Sequence, residues 1–434
     1  VAWQVVIAGG GFGGFYAARA LERVLPRGSA RVTLVNDANY MLYTPLLPGA
    51  AGATLDPRHV VVALRPQLAR THLLIGHVTG ADPTACTLAV RRIDGEPVDL
   101  SYDQLVIALG SVSRTLPIPG LAEHASGLKS LADAVSLRNR VLRCLDIAEA
   151  LESPEQRAEY LGFVFVGAGY AGVEGLADLQ DFAAQAIDAY PRCRAQGMRW
   201  VLVEAQARIM QEVPESLSRF AARELLARGI EVRTHTQLLE LSERSATLTG
   251  GETIATRTVV WTAGVRPGPV VARLGLPLAD GGRLAVDAAM RVDGHDGVWA
   301  IGDCAAVPDP ARPGEPCPPT AQHALRQGRL VAHNIAAALS GAPPRRFSYR
   351  TKGVVAELGR TKAVAITLGV RWQGLPAWLI ARTYHLLLMP GLGRRLRLLV
   401  DWNVALIFGR DVSDPGRLGD PPPLDPEPLE PIMD

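Results

Sequence analysis

Two glycine-rich runs carry the residues best placed to handle a phosphate. Gly9, Gly11 and Gly14 stand in VVIAGGGFGG, and Gly167, Gly169 and Gly172 in FVFVGAGYAGVE. In a GxGxxG the first glycine permits a tight turn after a strand, and the second lets backbone approach a diphosphate. The third lets the following helix pack on the strand. Free N–H groups at the helix N-terminus then favour the negative charge. The pattern is informative here because each copy follows an apolar β run, precedes a helix and leads to a second strand. Each reads as a dinucleotide cradle, with Phe12 inside the first loop.

Partner residues follow from the same chemistry. The residue closing the second strand should accept hydrogen bonds from ribose hydroxyls. That residue is Glu204 in the second copy, and Asn36, with Asp37 beside it, in the first. A carboxylate at 204 repels a 2′-phosphate and favours NADH over NADPH, a preference that Arg208 could soften. Asn36 keeps the hydrogen bond without the charge; a plain surface turn is the alternative for Asn36 and Asp37. Gly110 (LVIALGS) and Gly264 (VVWTAGV) end a further strand in each copy. Gly302 and Asp303, in VWAIGDCA, close a strand that returns to the first copy once the second is complete. Asp303 can then meet the ribityl or pyrophosphate region of an extended FAD, which assigns FAD to the first copy and NADH to the second. Capping of a helix is a competing role for Asp303, and the two are compatible.

The duplication implies two similar scaffolds. It predicts an α/β protein with two Rossmann-type units; the apolar C-terminal stretches add the expectation of a helical segment that associates with a membrane. Residues 1–118 and 283–371 form a discontinuous FAD-binding domain, 119–282 an NADH-binding domain, and 372–434 the C-terminal segment. Prolines between Pro308 and Pro319 make a loop that leads into a helix near Thr320. VVAELG and AVAITLG read as a small sheet. Residues 376–389 and 394–408 read as helices separated by the PGLG break. The last twenty residues, rich in proline and acids, read as disordered.

Composition bounds the possibilities. Of 434 residues, 48% are apolar and 20% charged, the profile of a packed globular protein. A net charge of +2 gives no global electrostatic case for nucleic-acid binding. The five cysteines include no CxxC, which argues against a disulfide framework and a metal cage. A dithiol electron relay lacks its neighbouring pair for the same reason. The chain enters a strand by Val5 without a basic-then-apolar leader pattern, so no signal peptide is expected. No apolar run approaches the roughly 18 residues of a membrane span.

Further segments narrow the family. NYMLYTPLLPGAAG follows the first copy's second strand, GVE follows the second glycine motif, and TAQHALRQG occupies 320–328. With KGVVAELGRTKAV at 352–364 and AWLIARTYHL at 377–386, the chain resembles the type II NADH:quinone oxidoreductases, from Val5 to about Arg410. These are single-chain peripheral membrane flavoenzymes. The resemblance implies hydride transfer from NADH to non-covalent FAD and two-electron reduction of a quinone, without proton pumping, at the cytoplasmic face of a membrane. It places Gly9, Gly11, Gly14, Gly110, Gly302 and Asp303 on the FAD side, and Gly167, Gly169, Gly172, Glu174, Glu204 and Gly264 on the NADH side. Ala321, Gln322 and Gln327 are matched to an AQxxxQ motif beside flavin and quinone, although in AQHALRQ four residues rather than three separate the two glutamines and the motif's last position falls on Arg326; Lys352 matches a lysine in the same neighbourhood. Glu174, Gln322, Gln327 and Lys352 are thereby the catalytic candidates. The bland alternatives are a helix first-turn acid for Glu174, helix decoration for the glutamines and a solvated loop charge for Lys352. Departures are Tyr170-Ala171 for the usual Pro-Thr, Gly175 to Asp178 for Leu-Ala-Gly-Glu, and Gly49 for a common acid.

A quinone lives in lipid, so its reductase needs a membrane contact. The C-terminal helices combine leucines with Trp378, Trp402 and the run Arg394, Arg395, Arg397, as suits a helix lying in the interface beside anionic headgroups. A homodimer interface is the other use for such a surface. Rival activities are a sulfide:quinone oxidoreductase, which needs sulfur-handling cysteines, and a soluble NAD(P)H reductase for another acceptor. A non-catalytic FAD-bound sensor is the rival outside enzymology.

Overall fold

The computed structural model describes residues 2–351 and 353–414; Lys352 and the proline-rich tail predicted to be disordered lie outside the described residues. Two sheets, one mixed and one parallel, form the frame. The larger has seven strands in the order Val298–Ala300, Gln104–Ile107, Trp3–Ala8, Ala30–Asn36, Thr71–Asp82, Thr87–Arg92, Pro97–Ser101. Its first four pairings are parallel, and the last two are antiparallel hairpins. The smaller has five parallel strands: Ala125–Ser126, Thr258–Trp261, Gly162–Val166, Arg199–Val203 and Ile230–Arg233.

The duplication is thus geometric. In each sheet the strand before the glycine motif lies between the strand that follows the motif's helix and a later one that ends near Gly110 or Gly264. The motif strands are apolar and buried, Gly162–Val166 throughout, as a sheet covered on both faces requires. The motif helices, Phe12–Val24 and Tyr170–Ala186, begin directly on Gly11 and Gly169 as N-caps. The first starts at Phe12, so the motif's own glycines form its first turn.

A third helix, Ala321–Leu339, starts on Thr320, whose hydroxyl accepts from the His323 N–H at 3.3 Å. It lies directly on the first motif helix: a Cβ on Gly328 would come within 2.2 Å of the Gly13 carbonyl oxygen. That close approach carries the helix's first turns to the first cradle. An antiparallel sheet of Gly353–Glu357, Ala363–Thr367 and Val370–Gln373 supports the helix Leu375–Leu388 through Ala363, Ala365, Ala377 and Trp378. The last helix, Leu392–Phe408, buries Leu398 and Trp402 and exposes most of its other apolar side chains. Among the described residues no helix is long and apolar enough to cross a membrane.

Candidate functional site

The two glycine motifs adopt one geometry. Gly9 and Gly167 have φ of 103° and 102°, a left-handed turn that other residues resist. A Cβ on Gly14 would sit 1.8 Å from the Gly9 carbonyl oxygen, and one on Gly172 1.9 Å from that of Gly167. Helix and strand therefore meet with no room for a side chain. At Gly11 a Cβ would meet nothing within 4 Å, and at Gly169 only the Glu212 carboxylate at 3.7 Å. The second glycine of each motif faces open space, as a cradle for a diphosphate must.

The strand-end residues close both loops in the same way. The Gly10 N–H donates to Asn36 Oδ1 at 2.7 Å, and the Ala168 N–H donates to Glu204 Oε2 at 2.8 Å. Asn36 Nδ2 also donates to the carbonyls of Ala38 and Tyr40, so this residue organises the loop, while Asp37 beside it is exposed. Glu204 Oε1 accepts from the Gln206 N–H at 3.0 Å. Arg208 donates to the carbonyls of Met210, Gln211 and Val213. Its guanidinium folds the loop, which weakens its case as a 2′-phosphate ligand.

Around the first cradle the long-range contacts converge. Gly302 has a φ of 73°, and its N–H donates to Gln327 Oε1 at 2.7 Å. Asp303 Oδ2 accepts from Ser111 Oγ at 2.6 Å, beside Gly110, and Ser111 accepts in turn from Lys129 Nζ at 2.9 Å. Lys129 Nζ stands 3.9 Å from the same Asp303 oxygen. Phe12 packs against Tyr43, and Tyr43 against His385 of the Leu375–Leu388 helix, with centroids at 5.4 and 6.0 Å. Burial pushes the His385 imidazole down to about 4, so it is neutral, which agrees with a structural role.

The three catalytic candidates among the described residues, Glu174, Gln322 and Gln327, do not form one cluster. Gln327 is 1% exposed, with its oxygen already taken by Gly302, so it positions the Gly302-Asp303 turn. Gln322 meets the Gly353 carbonyl at one end of a strand, and Glu174 Oε1 accepts from the Glu357 N–H at the other end. Those two contact points are roughly 10 Å apart along an extended chain. Lys352 lies outside the described residues.

Glu174 belongs to a second grouping. It lines a small cavity with Pro48, Gly49, Asp178, Glu357, Arg382 and Trp402. Loss of hydration, aided by Glu357 and Asp178, holds the Glu174 carboxyl well above the usual carboxylate range. Burial likewise raises Glu357 to about 7, against the pull of Arg382. Arg382 lies over the rings of Trp378 and Trp402, 4.0 and 4.9 Å from their centroids, with its Nε 3.7 Å from Glu357. Nearby, Asp181 pairs with Arg228 at 2.6 Å, Arg360 at 2.9 Å and Arg410 at 3.4 Å. These pairs clamp the second motif helix to the small sheet and to the chain beyond the last helix.

The raised Glu357 makes a test. A carboxyl whose pKa is higher folded than unfolded stabilises the fold fully below its ordinary value near 4.5, and that contribution disappears as pH rises through about 7. Glu357→Gln should flatten this part of the stability profile in denaturant melts between those limits. A slope identical to that of the parent would refute the placement of Glu357.

Comparison with known proteins agrees with this geometry. The sequence profile of the pyridine nucleotide-disulphide oxidoreductases matches residues 3–328. A type II NADH:quinone oxidoreductase of Mycobacterium tuberculosis is 31% identical, over 94% of this chain and 89% of that one. The chain belongs to the type II NADH:quinone oxidoreductases. A demethylphylloquinone reductase of Synechocystis is 30% identical, over 92% of this chain and 95% of its own. The fold matches that of NDH2 from Plasmodium falciparum, solved in complex with NADH, with a TM-score of 0.88 at 19% identity; 95% of this chain and 100% of that one are covered.

The two dinucleotide cofactors of the family, FAD and NADH, fit the residues present, because both cradles are open at their second glycine and closed at their third. Cys144, Cys193, Cys304 and Cys317 are buried and Cys86 is exposed, and burial raises the Cys304 and Cys317 thiols to about 11. Ser111, Lys129, Tyr349 and Arg382 escaped the sequence reading. Lys129 did carry a signal, as one of three lysines among 45 basic residues.

Proposed function

We propose that the enzyme oxidises NADH and reduces a membrane quinone, with FAD as its bound cofactor. The observation that carries this reading is the pair of matching cradles in one chain, in a family whose members bear the name NADH:quinone oxidoreductase. FAD, when bound, supplies a two-electron relay between a hydride donor and a quinone. Gly9, Gly11, Phe12, Gly14, Asn36, Asp37, Gly110, Gly302, Asp303 and Ala321 would hold it, with residues 1–118 and 283–371 as its domain. Gly167, Gly169, Gly172, Glu204 and Gly264 would take NADH within 119–282, and Glu204 would repel a 2′-phosphate.

The acceptor side needs protons as well as electrons. A hydride brings two electrons and one proton, whereas a quinone takes up two of each, so one further proton must reach it. Glu174 is suited to hold one. Its Oε1 accepts from a backbone N–H, which leaves Oε2 to carry a proton, and loss of hydration favours the protonated form. Gln322 would orient the quinone, Gln327 acts by fixing Gly302, and Lys352 joins them on family resemblance alone.

We further infer that the exposed face of the two C-terminal helices lies on the cytoplasmic surface of a membrane as a peripheral contact. Mixing the holoprotein with NADH should bleach its yellow absorbance within the turnover time, and a short-chain quinone should restore it. Persistent colour with NADH, or quinone reduction driven by sulfide in its absence, would overturn the reading.

A further inference from the structure

Gln322 is the acceptor-side residue with the most defined surroundings, and three contacts fix which way its amide faces. Tyr349 OH donates to Gln322 Oε1 at 2.5 Å. Gln322 Nε2 donates to the Gly353 carbonyl at 3.4 Å. A carbonyl can only accept, so Gly353 alone would hold the nitrogen on its own side, and the tyrosine hydroxyl reinforces that orientation from the opposite side. The third contact holds the tyrosine. The Arg326 guanidinium lies 4.0 Å over the Tyr349 ring, and its Nη1 donates to the Gln322 main-chain carbonyl at 2.9 Å. Residues 322 and 326 are one helical turn apart, so Gln322, Arg326 and Tyr349 form a closed ring. The His323 ring meets Tyr349 edge-on at 5.1 Å and is itself bonded to Thr320.

We propose that Tyr349 is a positioning residue that makes Gln322 a hydrogen-bond donor to the acceptor. This rests on the reading of the protein as a quinone reductase. With Oε1 engaged by Tyr349 and one amide hydrogen directed at Gly353, the other amide hydrogen meets no acceptor among the described residues. A group of that kind recognises a carbonyl oxygen, and a quinone carries two. It has less to offer the hydroxyl of a reduced product, whose proton seeks an acceptor. The arrangement therefore favours binding of the oxidised acceptor and release of the reduced one. Without the hydroxyl at 349, the amide would have one anchor, the long contact to Gly353, and could turn its oxygen towards the acceptor carbonyl, where two acceptors repel.

The test is Tyr349→Phe, which keeps the ring under Arg326 and removes only the hydroxyl. In oxidised holoprotein without NADH, the dissociation constant of a short-chain quinone, read by quenching of protein fluorescence, should rise about tenfold, the effect of one hydrogen bond. The KM for quinone should rise by the same factor, while NADH bleaches the flavin at the parent rate. Gln322→Glu removes the donor itself, and adding Tyr349→Phe to it should cost nothing more. Unchanged quinone binding in Tyr349→Phe, or equal additional losses in the double variant, would overturn the assignment while leaving the enzyme a quinone reductase. A parent protein that NADH does not bleach would overturn the underlying reading, and the Tyr349 assignment with it. Loss of colour or a lower melting temperature in Tyr349→Phe would show a structural role instead.

Discussion

Gly172→Ala should give a yellow protein that NADH no longer bleaches, and Gly14→Ala a protein that emerges colourless. The added methyl would lie 1.9 Å from the Gly167 carbonyl oxygen in the first variant and 1.8 Å from that of Gly9 in the second. Neither neighbour is a flexible side chain, so the motif helix must move away from its strand by more than an ångström. The helix N-terminus that cradles the diphosphate moves with it. Displacements of that size cost on the order of 100-fold where geometry is demanding, and overpacking adds about 1–3 kcal/mol of lost stability. Because the two cradles belong to different sheets, the losses should separate. NADH titration and the ratio of flavin to protein absorbance read them independently, with circular dichroism to confirm folding. If Gly172→Ala lost flavin while Gly14→Ala kept it, the assignment of FAD to the first unit would be reversed.

The twin sheets were legible in the sequence because their signal is local. A buried parallel strand shows as an uninterrupted apolar run, and a cradle as glycines at fixed spacing beside it. The C-terminal helices were legible for a similar reason, since residues 376–389 and 394–408 are long apolar stretches divided by Pro390 to Gly393. Their observed limits, Leu375–Leu388 and Leu392–Phe408, differ by two residues at most. What escaped depends on residues far apart in the chain. Asp303 meets Ser111 from 192 positions away, and no spacing rule connects them. Gln327 resembled an acceptor-side group because it follows Gln322 by five residues in the same motif, although that spacing turns it to another face of the helix. Only the crossing of two helices at Gly13 and Gly328 turns it towards Gly302. Arg382, a lone charge in an otherwise apolar stretch of its helix, is enclosed by Trp378, Trp402 and Glu357, and no motif spacing connects it to the last two.

Those enclosed charges constrain how the C-terminal helices work. Arg382 near the start of the pair and Arg410 beyond its end both reach the carboxylates around the second motif helix. Arg410 also donates to the Gly52 and Asp178 carbonyls. Removing one partner of such a buried pair leaves an uncompensated charge, at a cost of about 3–5 kcal/mol. The helix pair is therefore anchored at both ends and is not a loose flap. Arg395 contributes from the turn, where it donates to the Met389 and Leu387 carbonyls. It was expected to face lipid headgroups, but its guanidinium is engaged with the helix hairpin, which leaves exposed Arg397 as the better-placed cation.

A double substitution, Leu396→Glu with Ile407→Glu, should release the enzyme from vesicles containing anionic lipid and leave its reduction of a water-soluble quinone intact. Leu392, Leu396, Leu399, Val400 and Ile407 recur at helical spacing on one face, and Leu396 and Ile407 are 55% and 68% exposed. Neither side chain supports the fold, so a charge there is tolerated in water. In a membrane interface each forfeits part of the roughly 1.5–3 kcal/mol that burial of such a residue contributes. The two together should weaken partitioning by at least about 100-fold. Co-sedimentation with vesicles measures the partitioning, and turnover with short-chain against long-chain quinone measures its consequence. The long-chain substrate, confined to lipid, should lose most of its rate. A second copy of the chain could cover the same face instead. In that case the parent would sediment as a dimer, the variant as a monomer, and vesicle binding would not change, which would remove the peripheral membrane contact from the account.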